Sequence, residues 1–418
     1  MPAVCLHFQA HQPYRLLPYD FFRIGEHQPY DDGGLNAAIL SQVAERCYLP
    51  ANRLFTAAIR RSRRRFRMAL SISGVLIEQL EAHRPDVLES FRELVATGGV
   101  ELLAETYYHS LAFVHSRREF ERQVGLHGDK MAEVFGVRPR VFRNTELVYS
   151  DALAQHAELM GFDGILAEGA EWSLRGASPN FLCHAPGTRR IKTLLRNAGL
   201  SDDLGFRFSD RNWHEWPLTP AKFAAWLRTS PGQVVNLFLD YESIGEHQPR
   251  ESGIFEFWEA LPQAVLAAGL RWSTPWRLVR KLRAARRYRC RYLTSWADAE
   301  RDLSAWMGNV MQHEAITKIH QLEGQVLAAG DPELTHTWAK LQCSDHFYYI
   351  STKQGTDGAV HGYFSPYDNP YDAYICFMNV LADLQVRLKR GRSHAPNPPP
   401  AAPAPPPPAR SPAAAGAV

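Results

Sequence analysis

The chain has 418 residues, enough for a large core and for more than one packed unit. Its 47 basic and 44 acidic residues give a formal net charge of +3, with 45% hydrophobic and 22% charged residues. That balance gives no basis for nucleic acid or a membrane surface as the main partner, and no stretch approaches the roughly 20 apolar residues of a membrane span.

Six scattered cysteines, Cys5, Cys47, Cys183, Cys290, Cys343 and Cys376, form no Cys-x-x-Cys or zinc-type spacing. The first residues carry no basic region and only a short apolar run, so reduced thiols in a cytoplasmic protein are expected. Ten Trp are available either to a core or to stacking on sugar rings.

In chain order, short β-rich runs at 4–8, 66–71, 100–103, 140–143, 164–167, 191–195 and 234–240 alternate with helical patterns at 35–47, 75–97, 116–135, 150–160 and 219–228. The run Val-Val-Asn-Leu-Phe-Leu-Asp at 234–240 suits a strand buried on both faces. Strand–helix alternation predicts an α/β fold with a parallel sheet, and seven such strands are enough to curl into a barrel over residues 1–275. From about 276 the pattern turns helical, at 276–291, 299–327, 331–342 and 371–388, predicting a helical C-terminal domain over 276–391. A Pro/Ala-rich tail follows over 392–418, expected to be disordered or polyproline-like. The arginine clusters at 60–67 and 277–291 lack interleaved aromatics and read as solvated helix faces.

Three segments could carry chemistry. His7 and His11 are four apart around strand 1, with Pro13 ending any helix, so both could face one way. They serve structural bonding, substrate binding or, with further ligands, a metal. Glu146 falls just past a strand end, either as a helix first-turn charge or as a reactive carboxylate. Asp240 closes the most apolar strand, where an acid is costly unless paired or functional, and Glu242 rivals it for the same role. Two carboxylates at the ends of different barrel strands suit glycoside hydrolysis, with a separation of about 5–5.5 Å in a retaining enzyme. The acid must keep its proton near neutral pH although free aspartate titrates at about 3.9. An ionised Glu146 and the apolar strand beneath Asp240 both push in that direction.

The segments His11-Gln12-Pro13, Gly99-Val100-Glu101, Phe142-Arg143-Asn144-Thr145-Glu146, Asp240 to His247 and Gln342-Cys343-Ser344-Asp345 together resemble the five ordered sequence regions of glycoside hydrolase family 57. The resemblance extends to about residue 390. It implies an incomplete seven-stranded (β/α) barrel with a helical C-terminal domain, and a retaining mechanism on α-1,4-linked glucans with no cofactor and no catalytic metal. By motif position it implies Glu146 as nucleophile and Asp240 as general acid/base, with Glu242 in support. It further implies His11 and Glu101 beside the cleaved bond, Asp345 closing the cleft from the helical domain, and Trp296 and Trp306 against glucan. The α-amylase type is the nearest likeness; 4-α-glucanotransferase and branching enzyme share the carboxylate pair. Two other classes remain open: a metal-dependent deacetylase or mannosidase using His7 and His11, and a non-catalytic glucan-binding protein.

Overall fold

A computed structural model describes residues 1–26 and 29–393; of the expected tail, 394–418 lie outside the described residues. Among the described residues ten strands form: β1 Ala3–Ala10, β2 Met68–Ile72, β3 Val100–Leu102, β4 Val141–Arg143, β5 Gly164–Ala167, β6 Cys183–His184, β7 Lys192–Leu195, β8 Val234–Asp240, β9 Arg271–Ser273 and β10 Arg286–Arg287. Seven of them (β1 to β5, β7 and β8) are those read from the sequence. One parallel sheet runs β3-β2-β1-β8, with β9 on the first residues of β1; the other runs β10-β6-β7-β5-β4. Past β3, Ala104 N–H donates to Val141 O (2.9 Å) and Arg143 N–H to Ala104 O (2.8 Å), joining the sheets at β4. On the other side Asn197 N–H donates to Asn236 O (2.9 Å), and the Asn236 amide donates to Leu195 O (2.8 Å). The sheets therefore curl into an incomplete seven-stranded barrel of the expected α/β class.

Period-two alternation decides what fills it. Cys5, Ala69, Leu103, Val141, Leu166, Leu194 and Phe238 share one buried cluster between the sheets. Their neighbours Leu6, Leu70, Leu237 and Leu239 pack in a larger cluster with the surrounding helices. Two residues further toward the carboxyl ends the same inward positions turn polar. Ser71 follows Ala69, Glu105 follows Leu103, Arg143 follows Val141, Glu168 follows Leu166, Arg196 follows Leu194 and Asp240 follows Phe238. All but Asp240 are buried. Ionisable groups taken out of water cost several kcal/mol each unless paired, so this rim must be a charge network.

The helices follow their caps. Ser116, Ser150 and Thr219 each accept a backbone N–H at the start of the helices Arg117–Phe135, Asp151–Leu159 and Pro220–Thr229. The helix expected over 75–97 is two, Gly74–His83 and Pro85–Ala96, because Pro85 pushes Arg84 out of helical geometry (φ −141, ψ 63). The expected end at 47 is run through by a π-turn, Ala44–Tyr48, in which Leu49 N–H reaches back to Ala44 O. Pro50 ends that helical register, since its ring crowds the Arg46 carbonyl. Gly245 (φ +100) then passes so close that a Cβ there would meet Arg46 O at 2.0 Å. The π-turn thereby docks on the loop after β8, with Cys47 Sγ donating to Tyr241 O (3.1 Å).

The basic stretch expected as one helix over 276–291 is a short helix, Pro275–Lys281, followed by β10. Leu282 turns extended (φ −98, ψ 144), Ala285 N–H donates to Leu182 O (2.8 Å) and Arg286 pairs with Cys183. The sheet therefore reaches past the expected boundary at 275. The helix expected over 299–327 is three, Ser304–Met307, Val310–Gln321 and Glu323–Ala329, re-started at Asn309 by a capping box with Gln312. With Pro332–Lys340, Ser344–Tyr348 and Pro370–Ser393 they enclose a core of Trp306, Trp338, Phe347 and Phe377. Among the described residues no helix is long and apolar enough to cross a membrane.

Candidate active site

Glu146 sits on the turn leaving β4 in the left-handed region (φ 56, ψ 25), a strained state for a non-glycine residue. Both carboxylate oxygens are held. His109 Nε2 lies 2.9 Å from Oε1, and Trp296 Nε1–H donates to Oε2 at 2.7 Å. Trp296 is fixed in turn by its backbone N–H to Glu146 O (3.2 Å). His109, also at positive φ (51), places Nδ1 3.2 Å from Glu105 Oε2. Burial alone would lower the imidazole, but hydrogen bonds and charge from Glu105 and Glu146 push it up to about 9, so it is a cation at neutral pH. Burial alone would raise Glu146; the His109 cation, the buried Arg143 and the Trp296 donor overcome this and hold it below its ordinary value.

Asp240, in register with Gln9 at the end of β8, behaves oppositely. Burial and the Glu146 charge raise it to about 7 against the opposing pull of Arg143, His109 and Arg196. Two carboxylates that sense each other's charge are thus split into an anion and a proton-carrying acid. Arg143 is fully buried and faces the charges of Glu105, Glu146 and Asp240, with its guanidinium 4.9 Å from the Trp296 ring centroid. None of its three nitrogens has a hydrogen-bond partner among the described residues. Glu242 is buried and engaged: Tyr48 Oη–H and the His11 N–H both donate to its Oε1. Burial and the Asp240 charge raise it to about 8.

His11 closes the other wall. Its ring stacks on His109 with centroids 3.9 Å apart, Nδ1 is 2.7 Å from Ser73 Oγ, and Nε2 is 3.1 Å from Asp345 Oδ2. Burial and the adjacent His109 charge lower His11 from its ordinary value, against the pull of Asp345. Burial would raise Asp345, but the charge and hydrogen bond of His11, the His109 charge and the Cys343 thiol hold it well below the carboxylate range. The barrel thus supplies Glu146, Asp240, Glu242 and His11, while the segments after 291 supply Trp296 and Asp345.

Two expected members are not brought here. Glu101 lies level with Ala69 and His7, two inward positions before Glu105, and both its oxygens accept the Trp276 N–H (3.0 Å). The rim carboxylate of that strand is Glu105, reached by Gln9 Nε2 at 3.1 Å. Trp306 is 1% exposed inside the helical core, so its ring has no face for a glucan. His7 stays inside the barrel with Nε2 2.9 Å from Ser71 Oγ, which separates it from His11. Sequence reading assigned no role to Glu105, His109 or Arg143. The signal for the first and last was the inward position two residues past an apolar one; His109 carries no periodic signal, because it sits on an irregular loop.

An ionised carboxylate and a proton-carrying acid on the rim of one barrel are the kind of pair that glycosidic-bond chemistry uses. Residues 5–291 match the model of glycosyl hydrolase family 57, and the chain belongs to that family. It is 39% identical over 401 residues to a Methanocaldococcus jannaschii protein named "Putative alpha-amylase", covering 92% of this chain and 85% of that one. In fold it is similar to the branching enzyme of Thermococcus kodakaraensis (TM-score 0.65, 13% identity, 94% of this chain and 92% of that one). It is also similar to the 4-alpha-glucanotransferase of Thermococcus litoralis (TM-score 0.59, 15% identity), covering 83% of this chain but only 56% of that longer one. The alpha-amylase AmyC of Thermotoga maritima matches over 94% of both chains (TM-score 0.59, 12% identity).

Proposed function

We propose that the protein is a retaining α-glucan hydrolase of the α-amylase type, cleaving α-1,4 bonds through a covalent glycosyl-enzyme. The observation that carries this reading is the split of the carboxylate pair, with Glu146 held ionised and Asp240 raised to about 7. Glu146 attacks the anomeric carbon while Asp240 gives its proton to the leaving oxygen; Asp240 then takes a proton from the incoming water. The His109 cation and the Trp296 N–H orient the nucleophile. His11, Asp345 and Glu242 line the sugar that is cleaved, and the indole of Trp296 borders it.

Water and a second glucan differ only as acceptors, so transfer uses the same pair, and the fold is shared with a glucanotransferase and a branching enzyme. Incubation with maltoheptaose separates the two. Hydrolysis gives only shorter products; products longer than the substrate assign the chain to transfer. Glu146→Gln and Asp240→Asn should each cut turnover by at least about 10³-fold. Retention of near-normal turnover by both variants would remove the assignment. The six buried cysteines, all free, fit a reducing cytoplasmic location, which we propose for the protein.

A further inference from the structure

Beside the carboxylate pair, three donor atoms of different chemistry converge on one point. His11 Nε2 is 3.1 Å from Asp345 Oδ2, Cys343 Sγ is 3.2 Å from the same oxygen, and Sγ is 3.6 Å from Nε2. A tetrahedral zinc lies about 2.3 Å from sulfur and about 2.0–2.1 Å from nitrogen or oxygen, which spaces its donors about 3.3–3.6 Å apart. The three side chains therefore already stand within a few tenths of an ångström of a zinc-binding spacing. The contact of Nδ1 with Ser73 Oγ leaves Nε2 for coordination, the arrangement that orients ligating imidazoles elsewhere. Cys343 is 2% exposed and no part of the proposed hydrolysis uses its thiol.

We propose that His11, Cys343 and Asp345 form a binding site for a thiophilic divalent cation of the Zn²⁺ type, and that its occupancy inhibits the enzyme by taking His11 and Asp345 away from the sugar. Binding is a simple exchange. The thiol releases its proton to solvent, and the proton between Nε2 and Asp345 leaves Nε2, so that the neutral ring carries its one proton on Nδ1 and donates it to Ser73 Oγ; sulfur, Nε2 and Oδ2 then form three coordinate bonds in place of the Cys343–Asp345 and His11–Asp345 hydrogen bonds. The fourth position takes water. A mixed sulfur, nitrogen and oxygen set favours Zn²⁺ over Mg²⁺ or Ca²⁺, which take oxygen donors. The other acidic grouping, Asp298, Glu300 and Asp357, is already served by Lys353, whose Nζ lies 2.8 Å from Asp298 and 2.7 Å from Glu300. Inhibition rests on the glycosidase reading; metal binding does not.

Co²⁺ titrated into the full-length protein reports the site directly, through thiolate-to-cobalt charge transfer in the near ultraviolet. One equivalent should develop the band, and Zn²⁺ should displace it. Cys343→Ser should abolish it, whereas Cys376→Ser, remote in the helical region, should keep it. Loss of an oriented second partner alone weakens metal sites about 10–100-fold, so Cys343→Ser should weaken Zn²⁺ at least as much. Zn²⁺ should raise KM for maltoheptaose with kcat unchanged. Absence of the band at millimolar Co²⁺, or its survival in a folded Cys343→Ser, overturns the site. Turnover that requires Zn²⁺ overturns the inhibitory role. A cobalt band in a protein without action on glucans upholds the metal site and overturns the inhibition together with the glycosidase reading.

Discussion

At the scale of single residues the proposed chemistry turns on protonation. The proposed hydrolysis needs Glu146 as the anion and Asp240 as the acid. The rate should hold on the acid side, where Glu146 stays ionised below its ordinary value, and fall as pH rises through about 7, where Asp240 loses its proton. A pH profile of kcat/KM on maltoheptaose checks this; an alkaline limb starting only above about 9 would separate Asp240 from the acid role. Trp296→Phe removes one donor to the Glu146 carboxylate while keeping an aromatic ring. A hydrogen bond to a charged group contributes about 1.5–3 kcal/mol, so kcat/KM should drop at least about 10-fold and the acid limb should move upward. His109 gives a stability prediction. Its folded value of about 9 lies above the ordinary 6.5, so its contribution is complete below 6.5 and lost as pH rises through about 9. Thermal melts of the native protein should weaken between those limits, and His109→Gln should flatten the trend.

At the scale of elements, the cap residues are the simplest test. Ser116 accepts the Glu119 N–H at the head of the helix Arg117–Phe135, which carries His127 and Gln123 beneath the rim. Ser116→Ala should cost about 1 kcal/mol, read by denaturant unfolding, with little change in kcat. Seven strands are legible in the sequence as short, largely apolar, bounded runs, whereas β6, β9 and β10 are two- or three-residue pairings that leave no run to read. The pattern at 75–97 reads as one helix because the apolar period continues across Arg84-Pro85, while proline chemistry breaks the backbone regardless of the pattern. The stretch 276–291 misled for a different reason: its basic, helical spacing is local, whereas the edge of β6 that captures Arg286 is tertiary. Within the site, Glu146 and Asp240 stand at strand ends and could be read directly. Glu101 is implied by its motif alone; alternation along β3 puts Glu101 and Glu105 on the same inward face, and only the length of the chain past β3 decides which one reaches the rim.

At the scale of the molecule, the active cleft is assembled from two regions. The barrel holds the carboxylates, and the chain beyond 291 brings Trp296 to Glu146 and Asp345 to His11. The same region also reaches the site through Ser344 N–H, which donates to His109 O (2.9 Å), and through Cys343 Sγ beside His11. Trp306→Ala, which empties a fully buried position, should cost about 3–5 kcal/mol in stability, while the folded fraction keeps its KM for maltoheptaose. A raised KM in the folded variant would restore Trp306 to the substrate surface. The central claim is that Glu146 becomes bonded to sugar. Trapping with a fluorinated α-glycosyl fluoride, followed by peptide mass mapping, tests it most directly. The account predicts one glycosyl group on the peptide containing Glu146. A label on Asp240 or Glu242, or an unlabelled protein that turns the reagent over with inversion of the anomeric centre, would contradict it.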